Sequence, residues 1–399
     1  MQLSTLRKSA GAVALSALTA LGLTACAGDP AAESNSAGDT SAAAGDEAMT
    51  VTDVVGREVT FDHQPERILL AEGRAMFTTS LLDKDNPADK VVALGSDLHD
   101  AAPTFEEKIE EVDPEIKDLP TVGNIGKGDT TVENLLANKP DVIVMTLDHK
   151  KAAEESGFLD KMDQSGLKYV FTDYRQKPLD NTPKSVTLMG ELLGKEDKAK
   201  EFTDFYEKKV DDIEKRAAKL EDKPSTFVWR AAGLKDCCGT VKDSNLGDLV
   251  NAAGGDNLGD HLLTGDSGDV TAEKILAEQP EHFIATGGAW AKNPEKPEVL
   301  PHVEMGYTAD SEMADETLRG LLRTPGFEEL KAAKEGNLHG VYHQFYDSPY
   351  NVFALEAFAK WLHPEEFDDL DPEKDFADFH HNWLPFEYSG TFFNTVSAK

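Results

Sequence analysis

Two segments 140 residues apart in this 399-residue chain are written to nearly the same plan. Asp129–Thr146 reads DTTVENLLANKPDVIVMT and Asp269–Thr286 reads DVTAEKILAEQPEHFIAT, with seven of 18 positions identical without gaps. Ordinary residue frequencies would give about one match. The offset far exceeds the period of a solenoid repeat, so the duplication predicts two similar lobes. Each copy carries the same local logic. Thr131 or Thr271 is placed to cap a helix N-terminus, and Glu133 or Glu273 falls in the first turn, where the helix dipole favours a carboxylate. Pro140 or Pro280 stops the helix, and an apolar run follows, Val142–Met145 or Phe283–Ala285, that reads as a buried strand of a parallel sheet.

Other strand–loop–helix units surround these two. Arg67–Ala71, Lys90–Leu94, Lys168–Thr172 and Thr226–Trp229 read as strands, and Glu72-Gly73-Arg74, Asp173-Tyr174-Arg175 and Arg230 follow three of them. Strands alternating with helices predict an α/β fold of two lobes with central, mainly parallel sheets. Between them, a helix starting at Thr182-Pro183 breaks at Gly194, and Glu196–Leu220 then repeats apolar residues at helical spacing. Its ~25 residues would span about 37 Å and join the lobes as a stiff rod. The expected organisation is a signal segment 1–25, a tether 26–48, an N-terminal lobe 49–181, a helical linker 182–222, and a C-terminal lobe with its extension 223–399.

The start of the chain reads as an address. Arg7 and Lys8 precede an uncharged apolar stretch, Ala10–Leu23, too short to span a bilayer. It ends Leu23-Thr24-Ala25-Cys26, which resembles a bacterial lipobox, so Cys26 is expected to become the lipidated first residue of an extracytoplasmic protein anchored to the cell membrane. Residues 27–48 are small and polar and suit a flexible tether. Acidic residues outnumber basic ones 74 to 40, for a net charge of −34. That excludes a whole-surface grip on nucleic acid and attachment to anionic lipid through basic residues. Three cysteines cannot supply a disulfide framework, although Cys237-Cys238 leaves open a vicinal disulfide or two thiols.

Asp53-Val54-Val55-Gly56-Arg57-Glu58-Val59 followed by Gln64-Pro65-Glu66-Arg67-Ile68, together with Pro120-Thr121-Val122-Gly123, Lys139-Pro140-Asp141 and Gly254-Gly255 with Asn257-Leu258, resembles the class III binding proteins of ABC importers. These are bilobal, helix-linked proteins for ferric siderophores, haem and cobalamin, and the resemblance covers about residues 50–362. It implies that Glu133 and Glu273, one on each lobe, dock into arginine pockets of a transmembrane permease. It implies a monomer that binds a small iron chelate between the lobes, catalyses nothing and holds no cofactor of its own.

A ligand is expected outside the carboxyl ends of the strands. The candidates there are Arg74, Tyr174, Arg175, Arg230 and Trp290. Tyr346 and Tyr350 join them from the segment Val341–Asn351, whose Ser348-Pro349 announces a helix. Arginine offers a fixed fork of donors, and Tyr or Trp a flat apolar face with a polar edge; ferric siderophores are often anionic and rich in oxygen. Haem would need an axial Tyr or His, for which Tyr174 or His99 is available, and cobalamin would favour Trp and Tyr over Arg. A nickel or other metal chelate held by a lone His is a further reading. No HxH, HExxH or CxxC motif indicates a metal site, and no GxSxG elbow supports the contrasting class, an extracellular hydrolase. The tail 363–399 is too aromatic to be disordered and is expected to pack on the second lobe, whereas 96–118 and 291–325 read as acidic insertions without an evident role.

Overall fold

The computed structural model describes residues 48–234, 237–290 and 302–396. Cys26, the signal segment and the tether as far as residue 47 lie outside the described residues. A short antiparallel hairpin, β1 (Met49–Thr52) and β2 (Glu58–Phe61), opens the fold. The first sheet has four strands, β3 (Ile68–Leu70), β4 (Val91–Leu94), β5 (Val142–Thr146) and β6 (Tyr169–Thr172), all parallel in the order β4-β3-β5-β6. Every residue of β3, β5 and β6 is buried, as expected of uninterrupted apolar runs covered by helices on both faces.

The second sheet repeats this plan with β7 (Ser225–Trp229), and a small antiparallel pair, β8 (Gly239–Val241) with β10 (Ser267–Asp269), flanks it. After β9 (Asp256–Asn257) come β11 (His282–Gly287), β12 (Leu338–Tyr342) and β13 (Phe393–Val396), in the order β13-β12-β11-β7-β9. All pairs are parallel except β12–β13. The architecture is the bilobal α/β fold that the duplication implied.

Two helices link the sheets. The first begins at Pro178, four residues before the expected Thr182-Pro183 start, because Pro178 can fill the first helical position where no N–H is needed. It ends at Gly194, whose left-handed φ of 70° suits glycine. Helix Glu196–Ala217 follows. Its Tyr206 hydroxyl donates to Asn351 Oδ1 at 2.7 Å, and the Asn351 amide donates to Thr182 at 2.9 Å, so both linker helices are pinned to the helix Asn351–Leu362.

The aromatic tail packs on this framework. Helix Pro372–Trp383 lays Phe376 and Phe379 against Phe353, and Phe379 and Trp383 against Phe202 and Phe205. Strand β13 then closes the edge of the second sheet. The insertion 96–118 forms helices Asp97–Ala101 and Pro103–Val112, whose Phe105 stacks on Phe77 and meets Phe386 of the tail. First-lobe and tail residues therefore share one aromatic core.

Histidines lie at the opposite end of the second sheet from its carboxyl edge. His282 Nδ1 lies 3.1 Å from His339 Nε2, and His339 Nδ1 lies 2.9 Å from the Thr395 hydroxyl. Burial pushes His282 down to about 4, and His339 is lowered too, because the interior disfavours a charged imidazole. In the unfolded chain histidine titrates near its ordinary value of about 6.5. Their contribution to stability is therefore complete above that value and is lost as the pH falls toward about 4. Denaturant midpoints measured between pH 7 and pH 4.5 should fall less steeply for His282→Asn than for the parent chain; equal slopes would show that the pair does not titrate on unfolding.

Candidate functional site

Three arginines from the carboxyl ends of three strands meet at one tyrosine ring. Arg74 lies in the tight turn after β3. Its backbone N–H and that of Gly73 donate to the Asp97 carboxylate at 3.0 and 2.9 Å. Gly73 is required there, since a Cβ would sit 2.4 Å from the Gly95 carbonyl oxygen. Arg175 follows β6 on a turn organised by Asp173, whose carboxylate accepts the N–H groups of Arg175, Gln176 and Lys177 at 2.8–3.0 Å. Arg230 directly follows β7, and the next residue, Ala231, takes a left-handed φ of 45° while its N–H donates to Thr286 at 2.7 Å. Tyr346 sits in the turn His343–Asp347 after β12. The guanidinium carbons of Arg74, Arg175 and Arg230 lie 5.5, 5.2 and 5.6 Å from its ring centroid, within the range of cation–π attraction.

Carboxylates surround two of the three cations. Arg74 pairs with Glu72 at 2.7 Å, Asp97 at 3.1 Å and Asp347 at 3.0 Å, and donates to the Tyr346 hydroxyl at 2.6 Å and Gln344 at 3.3 Å. Arg175 grips Asp347 with two nitrogens, Nε at 2.6 Å and Nη2, and also reaches Glu72 at 3.0 Å and Asp148 at 2.9 Å. Asp347 belongs to the second lobe and both arginines to the first, so this cluster spans the cleft. Burial works to raise the Asp97 carboxyl, but a hydrogen bond with Glu72, the Arg74 charge and the two turn N–H groups hold it well below the usual range. Burial pushes Glu72 up despite Arg175 and Arg74, and Glu72 Oε2 has no hydrogen-bond partner. His149, 3.5 Å from Glu72, is lowered to about 4, first by burial and then by Arg175, and stays neutral.

Beside this cluster opens a cavity of about 680 Å³ between the lobes. Arg175, Gln176 and Lys177 line one wall, and Arg230, Asn245 and Ser267 the other, with Tyr346 between them. A smaller recess of about 210 Å³ continues past Arg230 to His343. The Thr286 hydroxyl lies 2.6 Å from His343 Nδ1, and the Trp290 ring meets His343 and His302 edge-on.

Arg175, Arg230 and Tyr346 thus line the cavity, Arg74 sits behind them, and Trp290 borders the recess through His343. Tyr174 does not join them. Its ring is buried in the first lobe, with its hydroxyl 2.7 Å from that of Thr78. Tyr350 is also buried and donates to the Phe77 carbonyl. His99 is exposed and pairs with Glu106, and neither it nor Tyr174 is among the residues that line the cavity. The sequence reading missed Asp97, which it placed in an acidic insertion without an evident role, and the acidic partners Asp148 and Asp347. Cys237 and Cys238 are joined to each other as a disulfide. Among the described residues no group of His, Cys, Asp and Glu side chains is arranged to hold a metal ion, and no helix is long and apolar enough to cross a membrane.

Glu133 and Glu273 occupy equivalent places. Each lies in the first turn of a short helix, Val132–Ala137 or Ala272–Glu278, capped by Thr131 or Thr271, and each is exposed. Their own backbone N–H groups and the capping threonines lower both carboxyls, so they carry full charge at neutral pH.

The family model described as periplasmic binding protein matches residues 86–341, well over half of the chain. The chain belongs to that family. Members are extracytoplasmic substrate-binding components of ABC transporters rather than enzymes, and they work with a permease. Among solved structures, this binding protein is similar to the TroA-like periplasmic binding protein FepB from Veillonella parvula, with 27% identity and a TM-score of 0.78 over 87% of this chain and 99% of that one. The molybdate periplasmic binding protein MolA of Haemophilus influenzae shares 16% identity with a TM-score of 0.64, covering 86% and 99% of the two chains. CeuE of Helicobacter pylori, solved as a Ni-His complex, shares 15% with a TM-score of 0.61, covering 86% and 97%. A search of curated proteins found no match.

The ion cluster makes a stability prediction. Asp347→Ala would leave two buried guanidiniums short of a carboxylate and should cost about 3–5 kcal/mol. Chemical denaturation of the variant checks this, and a loss near zero would mean that Glu72 and Asp97 neutralise both arginines unaided.

Proposed function

We propose that this protein is the lipid-anchored binding component of an ABC importer for iron chelates, and that its ligand is a ferric siderophore. The observation that carries the reading is the convergence of Arg74, Arg175 and Arg230, from both lobes, on Tyr346 at the cavity between them. A ferric siderophore presents oxygen atoms around a compact core, and guanidinium N–H groups beside an aromatic face suit that surface. The cavity supports this ligand over cobalamin or haem, because Tyr346 is the aromatic side chain among its lining residues and a macrocycle needs broader flat walls. The sequence Leu23-Thr24-Ala25-Cys26 supports anchoring through lipidated Cys26, with the folded part held outside the cell membrane.

Glu133 and Glu273 are the proposed contacts to the permease. Both are charged, exposed and held on capped helix turns, which suits pairing with arginine. Trp290 lies next to the recess, so tryptophan fluorescence should report occupancy. Titration with a ferric siderophore, haem and cobalamin should give saturable quenching by the first. Arg230→Ala should weaken that binding by about 1.5–3 kcal/mol, the worth of a hydrogen bond to a charged group. Quenching by haem or cobalamin alone would reassign the ligand. Reversing both Glu133 and Glu273 to Arg should abolish iron uptake by cells while chelate affinity measured on the purified protein stays within about twofold, a difference of under 1 kcal/mol. Normal uptake by the double variant would remove the docking assignment.

A further inference from the structure

We infer that the cavity selects a metal chelate of net charge close to zero and discriminates against polyanionic chelates; this deepens the iron-chelate reading and rests on it. The three arginines suggest a site for anions until their partners are counted. Every guanidinium nitrogen of Arg74 is engaged within the protein, by Glu72, Asp97, Asp347, Gln344 and the Tyr346 hydroxyl. All three nitrogens of Arg175 face carboxylates, of Asp347, Glu72 and Asp148. Arg230 differs. Among the described residues no carboxylate pairs with it, its Nε has no hydrogen-bond partner, and its neighbour is the Tyr346 ring. The cleft therefore offers a ligand one uncommitted guanidinium, not three.

The rest of the wall is balanced as well. Four acidic side chains line the cavity, Asp148 and Glu154 from the first lobe and Asp243 and Asp266 from the second. Five basic side chains line it, and of these Arg175 is already matched by buried Asp347 while Lys150 is paired with Glu154 at 2.5 Å. A net charge of −34 on the whole chain adds no attraction for an anion. A polyanion that engaged Arg74 or Arg175 would have to draw it away from Asp347, whose side chain is 2% exposed, and leave that buried carboxylate with one cation fewer. A neutral chelate makes no such demand. Its oxygen atoms can accept from Arg230 and from the polar wall of Gln176, Asn245 and Ser267 while the ion cluster stays intact.

Ferric ion bound by three hydroxamates is uncharged, whereas the complex with three catecholates is a trianion. The full-length chain should be titrated with one chelate of each kind, matched in size, at low and high salt. The expected result is that the uncharged chelate binds at least ~10-fold tighter and shows almost no salt dependence. Asp347→Asn, which keeps the shape but removes one charge, should shift the ratio of the two affinities toward the trianion by ~10-fold. Equal or tighter binding of the trianion by the parent chain, or an unmoved ratio in Asp347→Asn, would overturn the inference and leave the iron-chelate function standing. Binding of neither chelate would overturn both.

Discussion

The contact on which the site depends is one carboxylate held by two arginines across a lobe boundary. Asp347 comes from the turn after β12, and Arg74 and Arg175 come from turns after β3 and β6. All three side chains are buried or nearly so, and burying ions repays its desolvation cost only if the geometry stays tight. Their value is positional. Pulling the lobes apart along this edge would leave two guanidiniums and a carboxylate to be resolvated at once. The cluster therefore fixes how far apart the carboxyl edges of the two sheets stand, and with that the width of the cavity.

Other contacts resist the same motion. Tyr350 from the second lobe donates to the Phe77 carbonyl of the first, and its ring meets Phe77 edge-on. Gln344 donates to the Ala101 carbonyl. The aromatic tail reaches Phe105 through Phe386, and the two linker helices are tied to Asn351. A hinge that opened widely would have to break an ion cluster, an aromatic contact and a hydrogen-bonded rod together. Small adjustments that widen the mouth of the cavity on its solvent side cost far less, because that rim is built from lysines and polar loops.

The parts of this site that could be read from sequence are those fixed by local rules. Arg175 and Arg230 line the cavity because residues just after parallel strands end at the carboxyl edge, and strands are legible as apolar runs. Arg74 follows the same rule but is drawn behind the wall by Asp97. Tyr174 shows the limit of the rule. It neighbours Arg175 on the turn after the strand, yet its ring is buried in the first lobe, where Thr78 supplies a hydroxyl for the phenol. The acidic partners were illegible for a different reason. Asp97 lies 23 residues from Arg74, and Asp347 lies 172 residues from Arg175. No periodicity links such pairs; only the packed fold brings them together. Overall charge was no guide either, since Arg74 and Arg175 are neutralised by particular carboxylates at 2.6–3.1 Å and not by the average acidity of the chain.

The duplicated segments tie the exposed glutamates to the cavity. Helix Val132–Ala137, which carries Glu133, feeds into β5, and the chain leaves β5 directly into Asp148 and His149 of the ion cluster. Helix Ala272–Glu278, which carries Glu273, feeds into β11, whose Thr286 holds both the Ala231 N–H behind Arg230 and the His343 ring. In each lobe a single helix–strand unit joins an exposed acidic side chain to a wall of the cavity. A helix returning between parallel strands runs against them, so its first turn lies toward the same carboxyl edge that carries the site. If Glu133 and Glu273 meet fixed cations on a permease, a change in the spacing of those cations would act on rigid units that end in Asp148 on one side and Thr286 on the other. The ion pairs across the cleft would resist that change, and their strength would set how firmly the ligand is kept until the lobes are drawn apart.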